Sequence, residues 1–336
     1  MTDLRGTRDG YGQALVELGD ANERVVVLDA DLFKSTRVDR FAGAHPDRFF
    51  EMGIAEQDMV STAVGLALGG LIPFANSFAI FITGRAFDQT RQQVALPSLN
   101  VKLAGSSAGI TQGADGATHQ SVLDVALMRS LPNMCVVVPS DAEEARLATH
   151  AAAERDGPVY LRLSRYDTPV WREEGRPFRI GEVEVRRPGR DVTIASTGVL
   201  LGRALEASGI LAAGGIEAEV LNVHTVKPLD ADAILASAAR TGAVLTVEEH
   251  SVIGGLGSAV AEVLAERAPG WVPLRRLGVA DMFGESGTAE ELLERRGLTT
   301  ADFVAAAREL VRAKLKPPGG TSAGSACIRL AAADVR

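Results

Sequence analysis

The stretch of sequence that decides the fold is residues 52–74, MGIAEQDMVSTAVGLALGGLIPF. It runs from the end of one strand through a helix into the next strand. Gly53 follows an extended stretch, and residues 56–69 have a helical pattern with small side chains that permit close packing. Residues 71–74 form a short apolar run typical of a buried strand. A strand, a helix and a second strand in this order indicate two parallel strands joined by a crossover helix.

The same alternation runs through the whole first half of the chain. We predict strands at residues 25–28, 71–74, 101–104, 135–138 and 159–163, and helices at residues 56–69, 85–96, 121–130 and 142–154. Strands that alternate with helices this regularly predict a doubly wound α/β fold, in which helices cover both faces of a parallel sheet. We assign this first domain to residues 1–168.

A second α/β domain is predicted after a Pro- and Gly-rich linker at residues 169–190. It covers residues 191–315, with strands predicted at 192–195, 218–223, 244–247 and 272–277 and helices at 200–213, 231–240 and from 258. Two late helices carry start signals of the capping-box type, in which Thr288 pairs with Glu291 and Thr299 with Asp302. Residues 316–336 are rich in Pro, Gly and Ser, which predicts a flexible tail.

Composition excludes several classes of protein. The formal net charge of −8 argues against a nucleic-acid partner, because phosphates bind through clustered Lys and Arg. Cys135 and Cys327 have no CxxC spacing, and the N-terminus has no apolar signal segment, so we expect a cytoplasmic protein. Polar residues, glycines and a proline interrupt the apolar stretch at residues 60–82, which predicts a core helix and strand rather than a membrane span.

Two short segments carry candidate ligand-binding side chains. Glu56 lies in the first turn of its helix, where a carboxylate is favoured by the helix dipole alone, or is a buried acid that shares a proton with a heterocycle nitrogen. Phe74, Phe78 and Phe81 fall close together in a chain that is only 5% aromatic. They are either ordinary core residues or a stacking wall for a planar ring.

A polar, Gly-rich loop, GITQGADGATHQ at residues 109–120, follows a predicted buried strand. Open α/β sheets bind ligands at such positions, so Asp115 and His119 are candidates for hydrogen bonding and proton transfer, although either alone suits a turn or a helix cap. The turn GGLGS at residues 254–258 resembles an anion-binding turn, but we interpret it as structural. Three more polar residues, which nothing in the composition connects, are Arg8, Ser35 and Arg165.

Five segments in order resemble the C-terminal two-thirds of transketolases: MGIAEQDMV, ANSFAIF, GADGATHQ, LPNMCVVVPSDAEEA and EEHSVIGGLGSAVAE. The resemblance covers about residues 5–312 and implies a pyrimidine-binding domain followed by the C-terminal domain of that family. No GDG-type motif for metal and diphosphate precedes them. The resemblance therefore implies thiamine diphosphate as cofactor, no metal ligands on this chain, and a partner subunit that holds the diphosphate and Mg²⁺ in an α2β2 complex.

The resemblance also implies roles for individual residues. Glu56 matches the carboxylate that bonds the aminopyrimidine ring nitrogen and promotes its imino tautomer. The other cofactor positions are Phe78 and Phe81, which stack on that ring, and Asp31, near the thiazolium. Asp115 and His119 match groups that bond donor-sugar hydroxyls, and the substrate phosphate positions are Arg8, Ser35 and Arg165. Two positions depart from the family: Ser107 stands where a phosphate-contacting His is common, and Gly84 stands where many members have a third aromatic.

Transfer of a two-carbon ketol unit from a ketose or ketose phosphate to an aldehyde is the leading functional hypothesis. One alternative is the β subunit of a 2-oxo acid dehydrogenase decarboxylase component, although GADGATHQ follows the transketolase pattern. Another relative, 1-deoxyxylulose-5-phosphate synthase, is normally one long chain. A non-catalytic scaffold subunit is a third alternative, against which stands the presence of Glu56, Asp115 and His119.

Overall fold

A computed structural model describes residues 4–172 and 175–314 of the chain. The predicted tail at residues 316–336, which includes Cys327, lies outside them. Near the N-terminus, β1 (Leu4–Arg5) pairs antiparallel with β8 (Thr168–Pro169), so the two ends of the first domain meet in a two-stranded sheet.

The first domain is built on a seven-stranded sheet. Its strands are β2 (Val25–Asp29), β3 (Phe49–Glu51), β4 (Ile72–Phe78), β5 (Lys102–Ser106), β6 (Cys135–Val137), β7 (Val159–Arg162) and β12 (Thr225–Lys227). The spatial order is β12-β6-β7-β5-β4-β2-β3, and every pairing is parallel except that of β12 with β6. The predicted parallel sheet is confirmed, with an antiparallel edge strand that comes from the second half of the chain.

Helices cover both faces of this sheet, and each face has its own apolar core. The helices are α1 (Thr7–Ala21), α2 (Phe33–Thr36), α3 (Asp39–Ala44), α4 (Glu56–Leu68), α5 (Ala79–Gly84), α6 (Phe87–Gln89), α7 (Asp124–Ser130) and α8 (Ala142–Glu154). Helices α1 and α8 pack so closely that a Cβ at Gly10 would overlap the backbone of Ala142. This burial on both faces explains why the strands are almost continuously apolar.

The second domain has a five-stranded sheet in the order β14-β13-β10-β11-β9, formed by β9 (Glu184–Arg187), β10 (Val192–Ser196), β11 (Ala218–Asn222), β13 (Val244–Ser251) and β14 (Leu274–Val279). Only β9 runs antiparallel. The helices are α9 (Leu201–Ala213), α10 (Ala231–Thr241), α11 (Leu256–Arg267), α12 (Ala289–Arg295) and α13 (Thr300–Lys314). The predicted fold class, two α/β domains, is confirmed.

Local signals in the sequence are confirmed at two helix starts. The backbone N–H of Glu291 donates to the Thr288 hydroxyl, and the Glu291 carboxylate accepts from the Thr288 backbone N–H at 3.0 Å. Thr299 and Asp302 make the same reciprocal pair before α13. Both pairs satisfy N–H groups that a helix start leaves without an intrahelical partner.

Several elements differ from the sequence prediction, and three of them have a clear cause or consequence. Helix α1 was not predicted, because its three glycines hide the helical pattern. The helix predicted at residues 85–96 is present from residue 87 to 95, but it changes from α6 to a π-helical segment, Thr90–Ala95. The predicted linker at residues 169–190 contains β9, which joins the second sheet, so ordered structure of the second domain begins before residue 191.

Buried polar contacts join the two domains. Arg162, at the end of β7, donates to the Asp124 carboxylate at 2.8 Å and to the backbone oxygen of Glu249, in the second domain, at 2.8 Å. The surface ion pair of Arg129 with Glu262 also crosses this boundary. Within the described residues no helix is both long and apolar enough to span a membrane, and the predicted core helix and strand of residues 60–82 correspond to α4 and β4.

Candidate active site

A cavity of about 350 Å³ opens at the edge of the first sheet where the parallel strands end. It is lined by Ala30, Asp31, Leu32, Ile54, Glu56, Phe81, Arg85, Thr118 and His119. Four of these residues were predicted as site residues from the sequence: Asp31, Glu56, Phe81 and His119. The cavity lies where open α/β sheets bind ligands, because the loops that follow neighbouring strands diverge there.

Glu56 is the buried acid of this cavity. It is the first residue of α4, and only 3% of its surface is exposed. The Ser77 hydroxyl donates to its Oε1 at 3.2 Å, and the Arg85 guanidinium donates to the same oxygen at 2.8 Å. Because a buried carboxylate is unfavourable without such donors, these contacts hold the side chain in a defined position at the cavity wall.

Two of the three clustered phenylalanines form an aromatic wall. The rings of Phe78 and Phe81 stack with 5.8 Å between their centroids and 17° between their planes. His119 meets both rings edge-on, with its centroid 5.2 Å from that of Phe81. Phe74 instead lies in the core against Tyr11, so the interpretation of all three as a wall was wrong for Phe74.

Arg85 was not predicted as a site residue. Its Cζ atom lies 4.1 Å from the centroid of Phe81, and its side chain is 48% exposed. The signal in the sequence was its position four residues after Phe81, since side chains at this spacing meet on one face of a helix. The guanidinium therefore contacts both the acid and the aromatic face of the cavity.

Asp115 and His119 lie on the predicted loop, with Asp115 at its exposed surface. Its Oδ2 accepts a hydrogen bond from the Gln112 amide and lies 3.5 Å from Arg165. The loop begins against the second domain, where the Glu249 carboxylate accepts the backbone N–H of Thr111. Burial raises the pKa of Glu249 to about 7.

A pair of carboxylates holds the turn that presents Asp31. Asp31 has a left-handed backbone (φ 60°), and its N–H donates to Oε1 of Glu51 at 2.8 Å. Asp29, fully buried at the end of β2, accepts from the backbone N–H of Leu32 and from the Thr36 hydroxyl. Burial raises the pKa of Asp29 to about 7, so this acid is partly protonated at neutral pH.

The predicted phosphate residues form a positively charged group, with one exception. Arg8 donates to the backbone oxygen of Ser35 at 2.9 Å. Burial and the positive charges of Arg37 and Arg165 lower the pKa of Arg8 below its usual value, so these guanidinium groups lie close enough to repel one another. Ser107 is fully buried with φ 53°, and its hydroxyl has no hydrogen-bond partner in the described part of the chain.

Two other charged clusters are already paired by the protein itself. The backbone N–H groups of Leu256 and Gly257 donate to the carboxyl oxygens of Glu248, so a side chain of β13 already occupies the turn at residues 254–258. Glu144, Glu184 and His224 bring potential metal-ligand atoms within 4.8 Å of one another, away from the cavity. The Arg172 guanidinium lies 3.1 and 2.8 Å from the two carboxylates and provides the cation there.

Comparisons with known proteins identify the family of both domains. A family model described as the transketolase pyrimidine binding domain matches residues 5–170, and one described as the transketolase C-terminal domain matches residues 181–302. The chain is 47% identical over 307 residues to the 6-deoxy-6-sulfo-D-fructose transketolase subunit SqwH of a Clostridium species, which covers 91% of this chain and 95% of that protein.

Two more relatives have the same extent. The putative transketolase C-terminal section of Methanocaldococcus jannaschii is 47% identical over 296 residues, or 88% of this chain and 92% of that protein. A solved structure described as a split gene transketolase, inactive beta4 tetramer, is 50% identical with a TM-score of 0.86, and the match covers 92% of this chain and 99% of that chain.

Proposed function

The chain belongs to the transketolase family, and on this premise we propose that it is the pyrimidine-binding subunit of a two-chain enzyme that transfers a ketol unit. The reaction moves two carbons from a ketose or ketose phosphate to an aldehyde, with thiamine diphosphate as cofactor. The observation that carries the proposal is the buried Glu56 carboxylate in one cavity with Phe81, whose ring stacks on that of Phe78 behind it.

The residues of the cavity fit an aminopyrimidine ring. Arg85, a planar group with N–H donors, already lies over Phe81 and donates to Glu56, and it shows that a flat donor can make both contacts at once. Glu56 would hold a proton between its Oε1 and a ring nitrogen, and Phe78 and Phe81 would orient the ring by stacking.

Thiamine diphosphate, when bound, supplies a thiazolium that stores the electron pair released as the carbon–carbon bond of the donor breaks. Asp115 and His119 would bind and orient hydroxyl groups of the sugar, and Asp31 would lie near the thiazolium. Arg8, Ser35 and Arg165 would hold the terminal anion of the substrate through charge-assisted hydrogen bonds. Ser107 is included with them only because it stands at a phosphate-contacting position of the family.

The terminal anion is a phosphate or a sulfonate. Burial, and after it the positive charges of Arg37 and Arg165, lower the pKa of Arg8, and an anion bound beside this guanidinium would offset both effects, which supports an anionic substrate. The name of the Clostridium relative specifies a sugar with a sulfonate at carbon 6. Both anions present oxygens to arginine in the same way, so the donor must be identified by assay.

A second polypeptide would hold the diphosphate and Mg²⁺ in an α2β2 assembly. The names of two relatives, a transketolase subunit and a split gene transketolase, support the existence of such a partner chain. The first domain exposes large apolar side chains, Ile54, Leu68 and Leu96, each with more than 70% of its surface accessible. Of these residues Ile54 lines the cavity, and a partner that covers it would remove apolar surface from water and close the cavity. We place the complex in the cytoplasm, where the free thiol of Cys135 stays reduced.

The decisive test is ketol transfer from xylulose 5-phosphate and from 6-deoxy-6-sulfofructose to aldose phosphates, with thiamine diphosphate and Mg²⁺. The chain is assayed alone and after co-expression with the product of the neighbouring gene. Activity only in the mixture supports a two-chain transketolase. Decarboxylation of 2-oxo acids instead would favour the dehydrogenase-like alternative, and a complex that never binds thiamine diphosphate would favour the scaffold.

A further inference from the structure

Arg85 makes the contacts that an aminopyrimidine ring requires. Its guanidinium donates to Oε1 of Glu56 at 2.8 Å and stacks on Phe81 with 4.1 Å between Cζ and the ring centroid. A guanidinium is planar, carries its N–H donors along its edge and stacks flat on aromatic faces. These are the properties by which a heteroaromatic ring would also bind at this position.

We propose that Arg85 occupies the place of the aminopyrimidine in the cofactor-free chain and must leave it before thiamine diphosphate binds. This inference rests on the proposed function, because it takes the cofactor as given. It assigns Arg85 a role opposite to that of a cofactor ligand: the arginine competes with the cofactor for Glu56 and for the face of Phe81.

Burial explains why the cofactor-free chain needs such a group. Glu56 is 3% exposed, and without Arg85 the hydrogen-bond donor to its carboxylate would be the Ser77 hydroxyl at 3.2 Å. An unpaired buried carboxylate is strongly unfavourable, so a cation that pairs with it stabilises the empty cavity. When the Glu56 carboxyl group shares a proton with the ring nitrogen of the cofactor, its negative charge no longer needs a cation, and this requirement ends.

The position of Arg85 allows it to leave. Its side chain is 48% exposed at the end of the six-residue helix α5, next to the exposed Gly84, so a rotamer change carries the guanidinium into solvent. Half-exposed ion pairs and cation–π contacts are weak in water. The competition therefore lowers the apparent affinity for the cofactor without preventing binding, as expected when only a fraction of molecules is competent.

The test is calorimetric titration of the assembled two-chain complex with thiamine diphosphate at saturating Mg²⁺. Arg85→Ala should lower the dissociation constant by about threefold to tenfold, since both competing contacts are removed. Arg85→Gln keeps a planar donor without the charge, and we expect a smaller decrease. It also provides a second measurement in case the alanine variant folds poorly.

Arg91→Ala is the matched control, because Arg91 is 49% exposed on the same segment and pairs with Asp88 rather than with the cavity. It removes the same charge and should leave the dissociation constant unchanged. If the unsubstituted complex binds the cofactor and Arg85→Ala binds it equally or more weakly, Arg85 is not a competitor and the inference is wrong. A failure of the unsubstituted complex to bind thiamine diphosphate would overturn the proposed function and this inference together.

Discussion

Glu56 shows how a single residue acquires a chemical role from its surroundings. A glutamate in the first turn of a helix is ordinarily a surface carboxylate near the positive end of the helix dipole. Here the helix start lies beside the loop after β2 and the helix α5 after β4, so the carboxylate is buried beside Phe81 and Ser77. Burial restricts it to partners that share a hydrogen with it, such as the Arg85 guanidinium or a heterocycle nitrogen.

Replacement of this acid tests its role directly. We expect Glu56→Gln to lower ketol-transfer turnover of the assembled complex by about 10²–10⁴-fold, because the amide cannot hold the shared proton of a general acid–base pair. Assembly with the partner, measured by size-exclusion chromatography with light scattering, should be unchanged. Glu23→Gln, at an exposed position, is the control. Equal turnover in both variants would remove Glu56 from the mechanism.

At the scale of secondary-structure elements, close crossing of α1 and α8 depends on the missing side chain of Gly10. The backbone of Ala142 occupies the space that a Cβ would need. We expect Gly10→Ala to lower the free energy of unfolding by about 1–3 kcal/mol, because backbone atoms cannot move aside as a flexible side chain can.

The control for this substitution is Gly43→Ala in α3, where a Cβ would meet nothing within 4 Å. It should raise stability by up to about 1 kcal/mol through helix propensity and the reduced entropy of the unfolded chain. Urea unfolding of the free chain measures both variants. Equal changes in the free energy of unfolding for Gly10→Ala and Gly43→Ala would show that α1 and α8 can move apart without loss of stability.

The active-site loop depends on a strand of the other domain. Glu249 in β13 accepts the N–H of Thr111, and its carboxylate fills the space beside Gly109, whose φ of 82° suits a residue without a side chain. The segment that carries Asp115 and His119 is thus held at its first residues by the second domain. This contact gives that domain a part in the site although it contributes no residue to the cavity lining.

We expect Glu249→Ala to lower the free energy of unfolding by about 1–3 kcal/mol, because the Thr111 N–H is left buried without an acceptor. Amide hydrogen exchange at residues 109–120 should accelerate in this variant. Glu249→Gln keeps an acceptor oxygen and should preserve slow exchange. Unchanged exchange after Glu249→Ala would mean that the loop is held by its other contacts.

At the scale of the whole molecule, several buried acids make stability depend on pH. Burial raises the pKa of Asp29, Glu144, Glu248 and Glu249 to about 7 in each case. The folded chain therefore holds protons at neutral pH that the unfolded chain has already released. Because the folded state binds more protons, its stability falls as pH rises through 7.

Burial of a histidine has the opposite effect on the pH dependence of stability, at a pH below 7. Burial lowers the pKa of His224 to about 4, so stability from this residue rises with pH until its unfolded value near 6.5 is passed. The acids therefore dominate between about pH 6.5 and 7.5, above which Lys102, whose pKa burial lowers to about 7, has the opposite effect on stability. We expect the urea midpoint of the free chain to fall across this interval. Asp29→Asn should flatten the dependence, and an equal slope in that variant would exclude Asp29 as a contributor.

Much of the architecture was predictable because its causes are local. Alternating apolar strands and amphipathic helices predicted two α/β domains, and the reciprocal side chains of Thr288 and Glu291 predicted a helix start that the structure contains. Both depend on residues a few positions apart. The helix α1 escaped prediction because its glycines, required for packing on α8, weaken the same local signal.

By itself, the sequence determined the fold class, the family resemblance and four residues that line the cavity. Only the tertiary structure decided that Phe74 belongs to the core while Phe81 faces the cavity, that Ser107 is fully buried, and that Arg85 covers the ring. The reason is physical: helix and strand patterns are set by neighbours along the chain. The environment of a side chain at a site is set by segments that meet only when the sheet assembles.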